Sequence, residues 1–126
     1  MHARLFLFLG SLSAALSVAL GAIGAHVFAD RPPHLLALFQ TALQYQQHHA
    51  LGLIAVGLLA TRFNTRPVIA AGWLMIAGTV LFSGNLYLRS LAGIDTFHAV
   101  TPFGGGAFIL AWLSLALGVL VAPRGS

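Results

Sequence analysis

Cysteine is absent from the 126-residue chain, which excludes disulfide bonds, thiolate nucleophiles and iron–sulfur ligation. Lysine and glutamate are absent too, so all fixed side-chain charge rests on six arginines and two aspartates, 6% of the residues. Both carboxylates, Asp30 and Asp95, fall in short polar stretches, and the chain holds neither a Gly-x-Ser-x-Gly nor a His-Glu-x-x-His pattern. Paired-carboxylate, serine-nucleophile and zinc-protease chemistry therefore have no footing, and no enzymatic activity is expected. Charge this scarce against 59% hydrophobic residues lies far outside the range of soluble domains and marks a single integral membrane domain. A net charge of +4 would point to nucleic acid in a soluble protein. Here the arginines stand singly at the ends of apolar runs, where they act as topology signals, and no nucleic-acid partner is expected.

Four spans are predicted, at about residues 5–28, 41–60, 68–88 and 103–122. The first run is longer than the apolar segment of a signal peptide, which favours its retention as a helix. Within it Ser13, Ser17, Gly21 and Ala25 recur every four residues, a stripe of small side chains on which a second helix can pack closely. Pro33 suits the first turn of the second helix. That helix carries the stretch the rest is organised around, TALQYQQHHAL at 41–51. The apolar run after it is too short to cross the bilayer alone, so the polar stretch has to lie at membrane depth and find partners there. The fourth span opens with Gly104, Gly105 and Gly106 and carries a second small-residue stripe at Ala107, Ala111, Ser114, Gly118 and Ala122. Arg4, Arg62, Arg66 and Arg124 share one side of the membrane, against Arg31 and Arg89 on the other, which predicts both termini in the cytoplasm.

At 1.5 Å per residue from the arginine anchors, His49 comes out roughly 20 Å from the inner face and is the deepest, Tyr45 and Ser83 come out at ~26 Å, and Asn85, Tyr87 and His26 at about 28 to 33 Å, nearer the outer face. Thr101 starts the fourth helix from that side. The candidate polar cluster is therefore His26, Tyr45, His49, Ser83, Asn85, Tyr87 and Thr101, all in the outer half. Tyr45 and His49 are four apart and share a face, whereas His48 is turned about 100° away, so His49 is the inward histidine. Three readings stay open for the cluster: interhelical hydrogen bonds that fix packing, a bound ligand, or a proton or solute path. The ligand would be a quinone, a haem or a lipid headgroup, with His26 and His49 as the axial ligands in the case of a haem. The path finds no polar continuation in the inner half. His48 and His49 make a poor metal pair because adjacent helical side chains diverge, and no metal site is expected. Gly104 and Gly105 match no phosphate-binding motif and are expected, with Ser13, Ser17, Gly21 and Ala25, to serve helix packing.

GAIGAH at 21–26, YQQHHAL at 45–51, GTVLFSGNLY at 78–87 and TPFGG at 101–105 occur in order, one for each predicted helix or helix end. Together they resemble the domain of unknown function 423 family, small four-helix bacterial inner-membrane proteins with vertebrate relatives called transmembrane protein 256. The resemblance runs over nearly the whole chain and implies architecture but no reaction. It maps the family's motif histidines onto His26 and His49 and its tyrosines onto Tyr45 and Tyr87. Two departures stand out: Asn85 where a small hydroxyl residue is expected, and Ala111 where a glycine precedes the tryptophan, here Trp112. The resulting expectation is an all-α, four-span bundle in contact with the lipid bilayer. It would be non-enzymatic, with its cofactors undefined, acting as a homo-oligomer or as an accessory subunit of a larger membrane complex. A binding or transport protein for a small ligand at the polar cluster is the alternative.

Overall fold

A computed structural model of the chain describes residues 2–124. Among the described residues there are four helices and no strand: α1 (His2–Val27), α2 (Pro33–Ala60), α3 (Arg66–Ala92) and α4 (Thr101–Leu120). Prolines mark three of the starts. Pro33 opens α2, while Pro67 and Pro102 sit in the first turns of α3 and α4, where the missing N–H leaves no intrahelical bond unmade. Gly93, at φ 69°, ends α3 in the left-handed conformation. Three stretches, α1, α3 and His98–Leu120, are long and apolar enough to cross a membrane. α2 is long enough at 28 residues, but its polar stretch keeps it out of that class by composition.

The helices pair as two hairpins, α1 on α2 and α4 on α3, which meet along α2 and α3. Small residues set both pairings. On α1, Gly10, Ser17 and Gly24 are buried at intervals of seven. A Cβ on Gly10 would lie 2.9 Å from the Ala50 carbonyl oxygen, and one on Gly24 would lie 2.4 Å from the Phe39 ring. The structure sets the four-residue stripe differently from the sequence expectation: Ser13 and Ser17 face α2, Gly21 only approaches Leu43, and Ala25 is exposed. A step of four residues turns a helix about 400°, so the row drifts about 40° each time and has left the contact by Ala25. A seven-residue interval drifts only about 20°, which is why Gly24 takes that place.

On α4 the small residues face α3, with Gly104, Ala107, Ala111 and Gly118 all buried. A Cβ on Gly118 would lie 2.7 Å from the Val68 backbone nitrogen. The buried parts of the two small-residue rows, Gly10, Ser17 and Gly24 on α1 and Gly104, Ala107, Ala111 and Gly118 on α4, are therefore occupied within one chain. α3 widens into a π-helical stretch at Thr79–Gly84. The widened backbone comes so close to α4 that a Cβ on Gly104 would sit 2.5 Å from the Phe82 nitrogen. Gly105 and Gly106 have no such neighbour: the nearest atom to a Cβ on Gly105 is 3.9 Å away, and on Gly106 nothing lies within 4 Å.

Phe6, Leu53, Val56, Val68, Met75 and Leu115 form an apolar core in the half nearest the arginine-rich end. At the opposite end Arg31 donates to the carbonyls of Ser90 (3.4 Å) and Leu91 (3.2 Å), and Arg89 pairs with Asp95 at 2.8 Å. The remaining half of the molecule, between core and loops, is where the polar side chains meet.

Candidate functional site

The polar level is built from side chains that reach from one helix to the next. Gln46, buried on α2, donates from Nε2 to the Ser13 carbonyl (3.1 Å) and Oγ (3.3 Å) on α1. Its Oε1 accepts from the Tyr87 hydroxyl on α3. Three helices thus meet at one amide. Ser83, 1% exposed inside the π-helical stretch, donates to the Ala42 carbonyl at 2.8 Å. Asn85 donates from Nδ2 to the Phe97 carbonyl and to Thr101 Oγ1, tying α3 to the start of α4. Because the Phe97 carbonyl can only accept, the amide orientation is set, and the buried Asn85 Oδ1 has no partner among the described residues.

His49 is held at both ring nitrogens. Its Nδ1 lies 2.8 Å from the Tyr45 carbonyl, an acceptor, and its Nε2 receives the Trp112 Nε1–H at 3.0 Å. Only the neutral ring with its proton on Nδ1 satisfies both contacts. The ring lies face to face with Phe108, centroids 3.5 Å apart and planes within 13°. Tyr45 is parallel to it within 7° at 6.1 Å, and packs on Phe82 at 4.6 Å. Unlike His49, Tyr45 is 39% exposed. Its hydroxyl makes no hydrogen bond among the described residues, and Tyr45 lines an open groove of ≈ 530 Å³ together with His49, Phe82, Gly105, Gly106 and Trp112.

Of the residues singled out in the sequence, Tyr45, His49, Ser83, Asn85, Tyr87 and Thr101 lie at this level, joined in separate pairs rather than around one enclosed space. His26 does not join them; it is exposed in the last turn of α1. With both nitrogens of His49 already engaged, the two histidines are not set up as axial ligands of one haem. His48 is exposed and turned away from His49. Ser13 acts as a hydrogen-bond partner as well as a packing residue, and Gly105 lines the groove instead of a helix contact. Gln46, Phe108 and Trp112 were not singled out. Gln46 had a signal, because it lies three residues before His49 and within about 60° of its face. Trp112 had none, since nothing in the sequence sets the rotation of α4 against α2.

The family described as "Protein of unknown function (DUF423)" matches residues 20–105. The chain is 44% identical over 116 residues to the UPF0382 membrane protein YwdK of Bacillus subtilis, covering 90% of this chain and 94% of that one. It is 40% identical over 118 residues to a UPF0382 membrane protein of Staphylococcus saprophyticus, covering 91% and 96%. A UPF0382 membrane protein of Staphylococcus epidermidis is 38% identical over 118 residues, at 93% and 96% coverage. No solved structure matches the chain.

Proposed function

The chain belongs to the DUF423 family of proteins of unknown function, and we propose that it is a small non-catalytic component of the bacterial inner membrane. In this reading it is a four-span bundle with both termini cytoplasmic, serving as one unit of a homo-oligomer or as an accessory subunit of a larger membrane complex. The observation that carries it is the engagement of the deep polar groups. Gln46, Ser83 and the His49 ring each donate to or accept from another helix, and among the described residues no acid–base pair is aimed at a common reacting position. Such a level holds helices in register in a medium that supplies no hydrophobic drive to pack them. The exposed apolar side chains of α1 and α4, among them Phe8, Val18, Ile109 and Leu113, suit lipid.

Topology mapping tests the reading. Single cysteines at residues 64 and 124 are expected to react with a membrane-impermeant maleimide only after the inner face is exposed, and cysteines at 30 and 95 in intact spheroplasts. Free reaction at 64 in intact spheroplasts overturns the orientation, and equal reaction at 30 and 64 removes α2 as a span.

One observation favours a second reading, a site for a small lipid-phase molecule. The groove beside Tyr45 combines an unpartnered hydroxyl, flat aromatic walls and the bare backbone of Gly105 and Gly106. A carbonyl-bearing ring such as a quinone matches that chemistry, stacking on the aromatic rings and accepting from Tyr45.

A further inference from the structure

α2 carries a second row of polar side chains that the internal network does not use. Gln40, Gln44, Gln47 and His48 are all exposed, and none of them makes a hydrogen bond among the described residues. They are not scattered. Ala37, Gln40, Gln44, Gln47, Leu51 and Leu58 are exposed at intervals of three, four, three, four and seven, the repeat of a coiled-coil seam. At 1.5 Å per residue Gln47 and Gln44 lie roughly 22 and 27 Å from Arg62, inside a ~30 Å hydrocarbon layer if α2 spans it. An amide facing acyl chains has no hydrogen-bond partner there, so this face requires cover that the chain itself does not provide.

We propose that the Gln40–Gln44–Gln47 face of α2 is the interface between two copies of this chain, packed about a two-fold axis along the membrane normal. The proposal rests on the four-span reading above and names the contact that reading leaves open. The choice of a second copy follows from the chemistry. All copies share one orientation in the membrane, so two α2 helices related by that axis run parallel and each residue meets its own counterpart at the same depth. A row of carboxylates or guanidinium groups would repel its counterpart. A carboxamide both donates and accepts and is complementary to itself. Leu51 and Leu58 continue the seam as apolar contacts towards the arginine-rich end. The buried small-residue rows of α1 (Gly10, Ser17, Gly24) and α4 (Gly104, Ala107, Ala111, Gly118), by contrast, are already filled.

The absence of native cysteine makes the test direct. Gln44→Cys and Gln47→Cys, oxidised in native membranes, are expected to give a product of twice the chain mass. Its yield should be at least tenfold above that of Val18→Cys and Leu113→Cys on the lipid-facing sides of α1 and α4. In the unmodified chain, native mass spectrometry in mild detergent is expected to show a dimer that the double variant Gln44→Leu/Gln47→Leu reduces at least tenfold. Cross-linking no better than at the α1 and α4 positions, a product with another protein's mass, or a wild-type chain that is only monomeric overturns the proposal. An impermeant maleimide separates the two failures. If it readily labels Gln44→Cys, α2 does not span and the reading beneath the proposal fails with it; if it does not label yet no dimer forms, only the second copy is lost.

Discussion

At the scale of single residues, neighbours in sequence have opposite fates. His49 is enclosed with both nitrogens bonded while His48 is exposed, and Gln46 joins three helices while Gln47 faces outward. Tyr45 stands between these groups, its ring packed and its hydroxyl free. If the groove beside it holds a lipid-phase ring, Trp112 on its wall reports the event. In a Trp73→Phe background, where Trp112 is the one remaining tryptophan, a short-chain benzoquinone added to nanodiscs is expected to quench emission saturably. Tyr45→Phe should weaken the affinity about fivefold, the equivalent of one hydrogen bond of about 1 kcal/mol. A quench that rises linearly and ignores Tyr45→Phe would sink the groove reading. The inward choice of His49 over His48 was legible, because Tyr45 and Gly52 continue its face. Its partner Trp112 was not: sequence periodicity gives the phase within one helix but not the rotation between two.

At the scale of elements, the three glycines that open α4 divide by what surrounds them. Gly104 lies against backbone of the π-helical stretch, which cannot rotate aside as a side chain would, whereas Gly106 faces open space. Gly104→Ala is thus expected to push α4 off α3 and to cost about 2 kcal/mol or more, in the range of overpacked sites. Gly106→Ala removes a poor helix former at no steric cost and should stabilise by up to about 1 kcal/mol. Unfolding midpoints of the purified variants in mixed micelles decide it; equal shifts for both would refute the assigned contact. The sequence displayed helix extents well, since prolines and arginines flank the apolar runs. It did not display the π-helical widening of α3, which registers in the close approach of Phe82 and Gly104 rather than in any local pattern. The α1 stripe was legible where its four-residue repeat and the seven-residue packing repeat coincide, at Ser17, and lost where they part, at Gly24 and Ala25.

At the scale of the whole molecule, the two hairpins depend on few polar joints. Apolar packing joins them in the half near the arginines, through Phe6, Leu53, Val56, Val68 and Met75. In the other half Ser83 and Gln46 reach across between α2 and α3, Trp112 on α4 donates to His49 on α2, and among the described residues Gln46 alone also hydrogen-bonds to α1. Removing its amide strands the Tyr87 hydroxyl and frees Ser13, whereas removing the amide next to it strands nothing inside the chain. Gln46→Leu is accordingly expected to lower the unfolding free energy by about 1–2 kcal/mol, the span measured for interhelical hydrogen bonds in membranes. Gln47→Leu, measured on monomer at high detergent dilution, should leave it within about 0.5 kcal/mol of wild type, as for surface positions generally. Steric change is nearly the same in the two variants, so a difference between them isolates the joint. Should the two variants unfold alike, the Gln46 joint is not what holds the hairpins together, and the apolar half with the Ser83 and His49 joints carries the fold without it.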